Sequence, residues 1–338
     1  MSTILVKCRD WLPWIKVMVS VALVWLVLRL ASLDELAAAY HSIVARWPYL
    51  VISVALVGLT VFAAIWRWRV LLATFGRRIR WSDLLGALLV GSFFNQFLPS
   101  TIGGDVVRGW WIREDLDSAT QSVTIVALDR FFGVLGMCAL GIVAAVVEPD
   151  IVARLPEFWV VEILVGLGCV VLLALLRPES VAFARRVLAS PIFGRLREKA
   201  MIVYRGLKVM MHARGALAGA FFLSVLIQCF IVAQYLVFSF ALALSINVWE
   251  LAILVMVVTL VTWLPLTING IGLRELTLAT LGGALGLQTA DAIALGWLFV
   301  LFSWPVSLAG GAVYLMSGRG GPPSARRDAT PQVGRLPR

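Results

Sequence analysis

Apolar residues in this chain come in long, nearly unbroken blocks, with polar residues clustered between them. Six blocks are long enough to cross a bilayer as a helix, which takes roughly 20 residues: 11–30, 48–66, 120–147, 158–176, 216–244 and 292–315. The first is longer than the apolar core of a secretory leader and further spans follow it, so it is expected to remain as an anchor. The continuity of the blocks argues against a β-barrel, whose strands alternate apolar and polar positions. Two further apolar stretches, 84–98 and 251–287, break into polar segments rich in glycine and proline. They are expected to form re-entrant hairpins, because irregular backbone at membrane depth persists only where protein or a wet cavity covers it. The predicted fold is an all-α membrane protein of about six full transmembrane helices plus two re-entrant helical hairpins.

Charge between the blocks predicts an orientation. Residues 67–82 hold five Arg and no acid, 177–214 hold nine Lys/Arg against two Glu, and the tail from Ser317 holds five Arg against one Asp. These loops are expected on the cytoplasmic side, where Lys and Arg collect. Residues 32–47 and 148–157 are acid-rich and are expected outside. Six spans with both termini cytoplasmic satisfy every loop, provided each hairpin returns to the side it entered. The segment 178–214 fits broken amphipathic helices on the inner leaflet. The tail 317–338 opens on Gly and Pro and is expected to be disordered.

Composition narrows the function. Of the 338 residues 61% are hydrophobic, and the net charge is +10. Lipid-facing loops explain the positive charge, so no nucleic acid partner is expected. The four cysteines and two histidines form no metal-ligand spacing, which leaves no metal and no cofactor predicted. No nucleotide-binding loop occurs either, so the chain is not expected to drive transport with nucleotide.

One motif is written twice. Residues 98–108 read LPSTIGGDVVR and residues 264–274 read LPLTINGIGLR, with six of eleven positions identical at an offset of 166. The same offset carries the block 48–66 onto the start of 216–244, and 120–147 onto 292–315 and its neighbours. Each half, about 48–147 and 214–315, is therefore span, hairpin, span. One extra span between them turns the second half upside down, and a ligand site is expected where the two broken segments meet.

The motif's chemistry suits an anion. Pro99 ends a helix, as does Pro265. Gly103, Gly104, Gly270 and Gly272 permit a tight turn with unpaired N–H groups. Arg108 and Arg274 offer forked donors that match phosphate. A structural alternative is that Arg108 pairs with Asp105 and Arg274 with Glu275. Asp129 and Arg130 lie about ten residues into their block, where charge is costly and usually functional; a late helix start would instead put them at the interface. Asn95 and Gln96 would line the cavity or cap backbone, with Thr101, Thr267 and Asn269 beside them in the two turns. Gln228 and Gln234 read as interhelical hydrogen bonds. Most of the tryptophans, including Trp111 and Trp263, read as interfacial anchors.

The run Gly91–Arg108, with Asn95, Pro99, Gly103, Gly104, Asp105 and Arg108, then Asp129-Arg130, then Gly270-x-Gly272-x-Arg274-Glu275, resembles the lysylphosphatidylglycerol synthase transmembrane-domain family, whose members are also described as flippase-like. The resemblance spans about residues 11–315. It implies a bacterial inner-membrane domain that moves a lipid between leaflets, an anionic phospholipid or a polyisoprenoid or glycolipid phosphate. The synthases add a cytosolic aminoacyltransferase domain. This chain ends in a short tail, so lipid aminoacylation is not expected and the chain is read as a non-enzyme. The resemblance also allows a glycosyltransferase or lipid-synthesis enzyme as partner, with the chain as its accessory subunit. A lipid-modifying membrane enzyme is the remaining alternative, and it lacks a nucleophile or carboxylate cluster to support it.

Overall fold

The structure, a computed structural model, describes residues 18–26, 33–97, 101–113, 116, 119–155, 158–160, 162–163, 166–167, 213–264 and 266–317. Every regular element among them is a helix: α1 (Leu33–Ala45), α2 (Pro48–Ala73), α3 (Trp81–Phe97), α4 (Thr101–Trp111), α5 (Ala119–Val147), α6 (Pro149–Arg154), α7 (Arg214–Ala241), α8 (Val248–Trp263), α9 (Leu273–Ala284) and α10 (Thr289–Met316). Residues 18–26 are also helical.

Four of these, α2, α5, α7 and α10, are long and apolar enough to cross a membrane. They correspond to four of the six expected spans. Most of the expected spans 11–30 and 158–176, the amphipathic segment 178–214 and the tail beyond 317 lie outside the described residues. The spans keep apolar side chains on their outer faces. Val51, Val54 and Phe62 of α2 are each at least half exposed, as lipid-facing residues should be.

Between the spans lie two helix pairs, α3–α4 and α8–α9. Each joins a longer helix, of 17 or 16 residues, to a short one of 11 or 12. The longer ones fall just short of the usual spanning length. Helix α8 starts on a capping box: Asn247 Oδ1 accepts from Trp249 N at 3.0 Å and Glu250 accepts from Asn247 N at 3.0 Å. Residues 251–258 of α8 are all buried, which fits a helix apolar on every side.

The two halves pack alike. In each, the short hairpin helix lies on its longer partner and on the half's last span, and each longer hairpin helix packs on the last span of the other half. The first spans, α2 and α7, run antiparallel along each other. Tyr49 at the start of α2 meets Phe240 at the end of α7 with ring centroids 5.8 Å apart, while Val70 near the end of α2 faces Gly219 near the start of α7. Helices α5 and α8 also run antiparallel, with Gly133 facing Trp263 and Gly141 facing Met256.

One expectation about the loops needs correction. Arg67 and Arg69 do not belong to a loop: α2 continues to Ala73, and Arg67 is buried at 7% exposure. The apolar residues Val70, Leu71 and Leu72 carry the helix on past both arginines, so the polar turn begins only at Thr74.

Candidate functional site

The first hairpin organises a chain of five charges, buried except for Arg130, whose side chain is 33% exposed. Arg67 Nε donates to Asp129 Oδ1 at 2.8 Å, and Arg67 Nη1 donates to Ser224 Oγ at 2.8 Å. Arg108 Nη1 lies 3.6 Å from Asp129 Oδ2 and 3.7 Å from Asp105 Oδ1. Arg130 Nε donates to Asp105 Oδ2 at 2.6 Å. Adjacent residues on a helix point about 100° apart, so Asp129 reaches α2 while Arg130 reaches α4. Aromatic faces cover the cations: Arg108 lies 4.2 Å over Trp68, and Arg130 lies 5.0 Å over Trp263. Positive and negative groups alternate along the chain, so each carboxylate is shared by two guanidiniums. The network ties α2, α4, α5 and α7 together.

Asp129 and Arg130 thus sit inside α5, which starts at Ala119; the late-start alternative does not apply. Arg67 and Trp68 are the participants that sequence reasoning missed. The anchor reading fails for Trp111, which is buried in the core of the first hairpin, while Trp263 covers the half-buried Arg130.

A second site lies between the halves. A cavity of about 270 Å³ is walled by α2, α3, α7 and α10, with Asn269 of the turn before α9 and Arg274 of α9. Asn95 and Gln96 of the first hairpin and Asn269 and Arg274 of the second all line it. Gln96 Oε1 accepts from Asn269 Nδ2 at 2.5 Å, which joins the two hairpin tips directly. Gln234 lines the same cavity, as do Thr60, Ser92, Ser303 and Ser307.

Arg274 is the charge in this cavity. It is 8% exposed and lies 5.0 Å over the Phe299 ring. Its Nη2 contacts the Asn269 carbonyl at a long 3.5 Å, and its Nη1 has no hydrogen-bond partner. Among the described residues no carboxylate pairs with it. The expected partner, Glu275, is used elsewhere: it accepts from Gly272 N at 2.7 Å and caps the start of α9. A carboxylate one residue after the arginine points to a different side of the helix, so adjacency in sequence does not make a pair.

The motif glycines divide in the same way. Gly103 and Gly104 are helical, in the first turn of α4, rather than in a tight turn. Gly104 packs so closely on α3 that a Cβ would strike the Gly91 carbonyl and Asn95, and its N–H is taken by Asn95 Oδ1 at 3.0 Å. Asn95 therefore both lines the cavity and caps backbone. In the second copy the chain stays unwound until Leu273, with left-handed φ of 49° at Asn269, 75° at Gly270 and 82° at Gly272. The Gly272 N–H is held by Glu275, so neither it nor that of Gly104 is a free backbone donor. Thr267 is buried with an unpartnered hydroxyl. Pro99, Pro265 and the Thr101 side chain lie outside the described residues. Gln228 reaches the Gly133 carbonyl at 3.5 Å, a weak interhelical contact.

A family model described as the lysylphosphatidylglycerol synthase TM region matches residues 14–310 of the 338. The chain belongs to that family. Membership makes it a multi-pass membrane protein of a flippase-like group tied to lipid metabolism. The match takes in both hairpins, the charge network and every residue lining the cavity between the halves. No curated protein and no solved structure matches the chain.

Proposed function

We propose that this protein moves an anionic lipid between the leaflets of a bacterial inner membrane, with both termini cytoplasmic and the lipid phosphate held by Arg274. The carrying observation is a buried guanidinium in the wall of the cavity between the halves, with one nitrogen, Nη1, that has no hydrogen-bond partner. A buried charge without a partner costs several kcal/mol, and such a cost persists where an anion is the missing partner. In this reading α3–α4 and α8–α9 are re-entrant hairpins of an inverted repeat, opening to opposite faces. The antiparallel run of α2 against α7 supports it, since these are equivalent helices of the two halves. Inverted repeats that meet near the midplane are a recurring transporter architecture, and rocking one against the other exposes the site to each side in turn. Breaking the Gln96–Asn269 bond would open the passage between the tips. Arg108 takes the scaffold role, because two aspartates already satisfy it.

The test is translocation of fluorescent phospholipid in reconstituted liposomes. The wild type moves lipid across the bilayer and Arg274→Gln does not; equal rates would end the assignment. Single cysteines replacing Thr101 and Thr267 should be labelled from opposite sides, and labelling from one side would remove the inversion.

A further inference from the structure

We infer that Ser20, on the N-terminal helix, is a positioning residue for the cavity between the halves: it holds the turn of the second motif and so sets where Asn269 and Arg274 stand. This rests on the reading of that cavity as the cargo site.

Residues 18–26 form a helical piece that lies ahead of both copies of the motif. Ser20 is buried and Leu23 and Val24 are half-buried, whereas Met18, Val19 and Val21 are exposed. The spacing i, i+3, i+4 makes the three inward residues one stripe on the helix. That stripe lies on the turn between α8 and α9. Ser20 Oγ accepts from Ile268 N at 3.0 Å. A Cβ on Gly272 would come within 2.5 Å of Leu23 Cβ and 3.2 Å of Val24 N. The stripe therefore meets the turn at both ends, and Gly272 is needed for this close approach as well as for its φ of 82°.

The turn needs such support. Its backbone is left-handed at Asn269, Gly270 and Gly272, and a residue with a side chain adopts that conformation only where its surroundings hold it. Unwound backbone away from water must also find acceptors for its N–H groups. Some come from the turn and from α9: Ile271 N donates to Ile268 O at 3.0 Å, and Gly272 N donates to Glu275 at 2.7 Å. Two holds come from distant parts of the chain and fall on adjacent residues. Ser20 takes the Ile268 N–H, and Gln96 takes the Asn269 side-chain amide. The Asn269 carbonyl in turn accepts from Arg274 Nη2. Fixing Ile268 thus fixes the next residue, which reaches the first hairpin with its side chain and the cavity arginine with its backbone.

The experiment uses the full chain purified in detergent and reads amide hydrogen exchange. In Ser20→Ala the turn, residues 266–272, should exchange about tenfold faster, because the Ile268 N–H loses its acceptor. The first copy, residues 101–111, should not change. Ser20→Thr keeps the hydroxyl and should exchange like the wild type. The coupling between Gln96→Ala and Asn269→Ala should largely disappear in the Ser20→Ala background, which a general loss of stability does not produce. In liposomes Ser20→Ala should translocate lipid about tenfold more slowly. Unchanged exchange in the turn, equal loosening of both copies, a Ser20→Thr variant as loose as Ser20→Ala, or a surviving Gln96–Asn269 coupling overturns the inference. If Ser20→Ala does not fold, Ser20→Cys, whose sulfur is a weak acceptor, takes its place in every arm. Wild-type protein that moves no lipid would retire the transport reading alone, since exchange and coupling still judge Ser20. A loosened turn at an unchanged translocation rate would overturn the positioning role and leave transport standing.

Discussion

Arg108 stands in the last turn of α4 with aspartates 3.6 and 3.7 Å away and the Trp68 ring against it. Arg274, its counterpart in the second copy of the motif, stands in the first turn of α9 with one nitrogen unbonded and no carboxylate paired to it. The difference begins in the backbone. The first copy coils into helix at Thr101, whereas the second holds three left-handed residues and coils only at Leu273. The same arginine is thereby delivered to a charge network in one half and to a cavity in the other. On the proposed function, the two copies of the motif divide the work between holding the fold and meeting a ligand.

The sharpest way to break this comparison is through the network. Asp129→Asn leaves Arg67, Arg108 and Arg130 with one carboxylate among them. Removing one partner of a buried ion pair costs about 3–5 kcal/mol, and unfolding in detergent should report a loss of that size. Replacing Arg67 with Met and Asp129 with Leu together keeps the balance of charge and should lose less. Equal losses would mean that the network's electrostatics do not matter to stability.

The cavity arginine should behave in the opposite way. Arg274→Gln should lower lipid translocation about a hundredfold, roughly 2.7 kcal/mol of barrier, while stability stays level or rises, because an unpaired buried charge is removed. Arg108→Gln should lose stability first, with transport falling only as folded protein is lost. If both variants lose transport at full stability, the two copies share the ligand and the division of labour is wrong.

The glycines sharpen the comparison further. Gly104→Ala drives a methyl into the Gly91 carbonyl, and overpacking of this kind costs about 1–3 kcal/mol. Gly58 of α2 has open space around its Cα, so Gly58→Ala should gain up to about 1 kcal/mol from helix propensity. Thermal unfolding of the two variants should move in opposite directions.

Much of this division is invisible in the sequence. The doubled motif, the two helix pairs and the place of Asp129 and Arg130 inside α5 follow from block lengths and from an offset that Pro, Gly and Arg share. Arg67 escaped because it ends one apolar block and begins an arginine-rich stretch, and loop charge counting claimed it; Val70-Leu71-Leu72 beyond it were the signal that the helix continued. Gly104 and Gly270 align letter for letter yet differ in conformation, because Gly272 lets the second copy stay unwound where Val106 holds the first in helix. The hydroxyls of Thr60, Ser92, Ser303 and Ser307 lie in three separate stretches of apolar sequence. Only the packing of α2, α3 and α10 makes them one wall.

The smallest effect concerns the bond between the two hairpin tips. Gln96 accepts from Asn269 across the hairpin tips, and both residues face the cavity. A neutral side-chain hydrogen bond contributes about 0.5–1.5 kcal/mol net. A double-mutant cycle on Gln96→Ala and Asn269→Ala should return a coupling in that range. Its consequence for transport has a definite sign. If the bond closes the passage, severing it stabilises open forms, so translocation should rise or lose its lag while binding at Arg274 weakens little. A fall in both would show that Gln96 and Asn269 hold the ligand rather than the gate. The second hairpin would then work as a pair with the first, and the contrast between Arg108 and Arg274 would reflect a division within one site rather than between two.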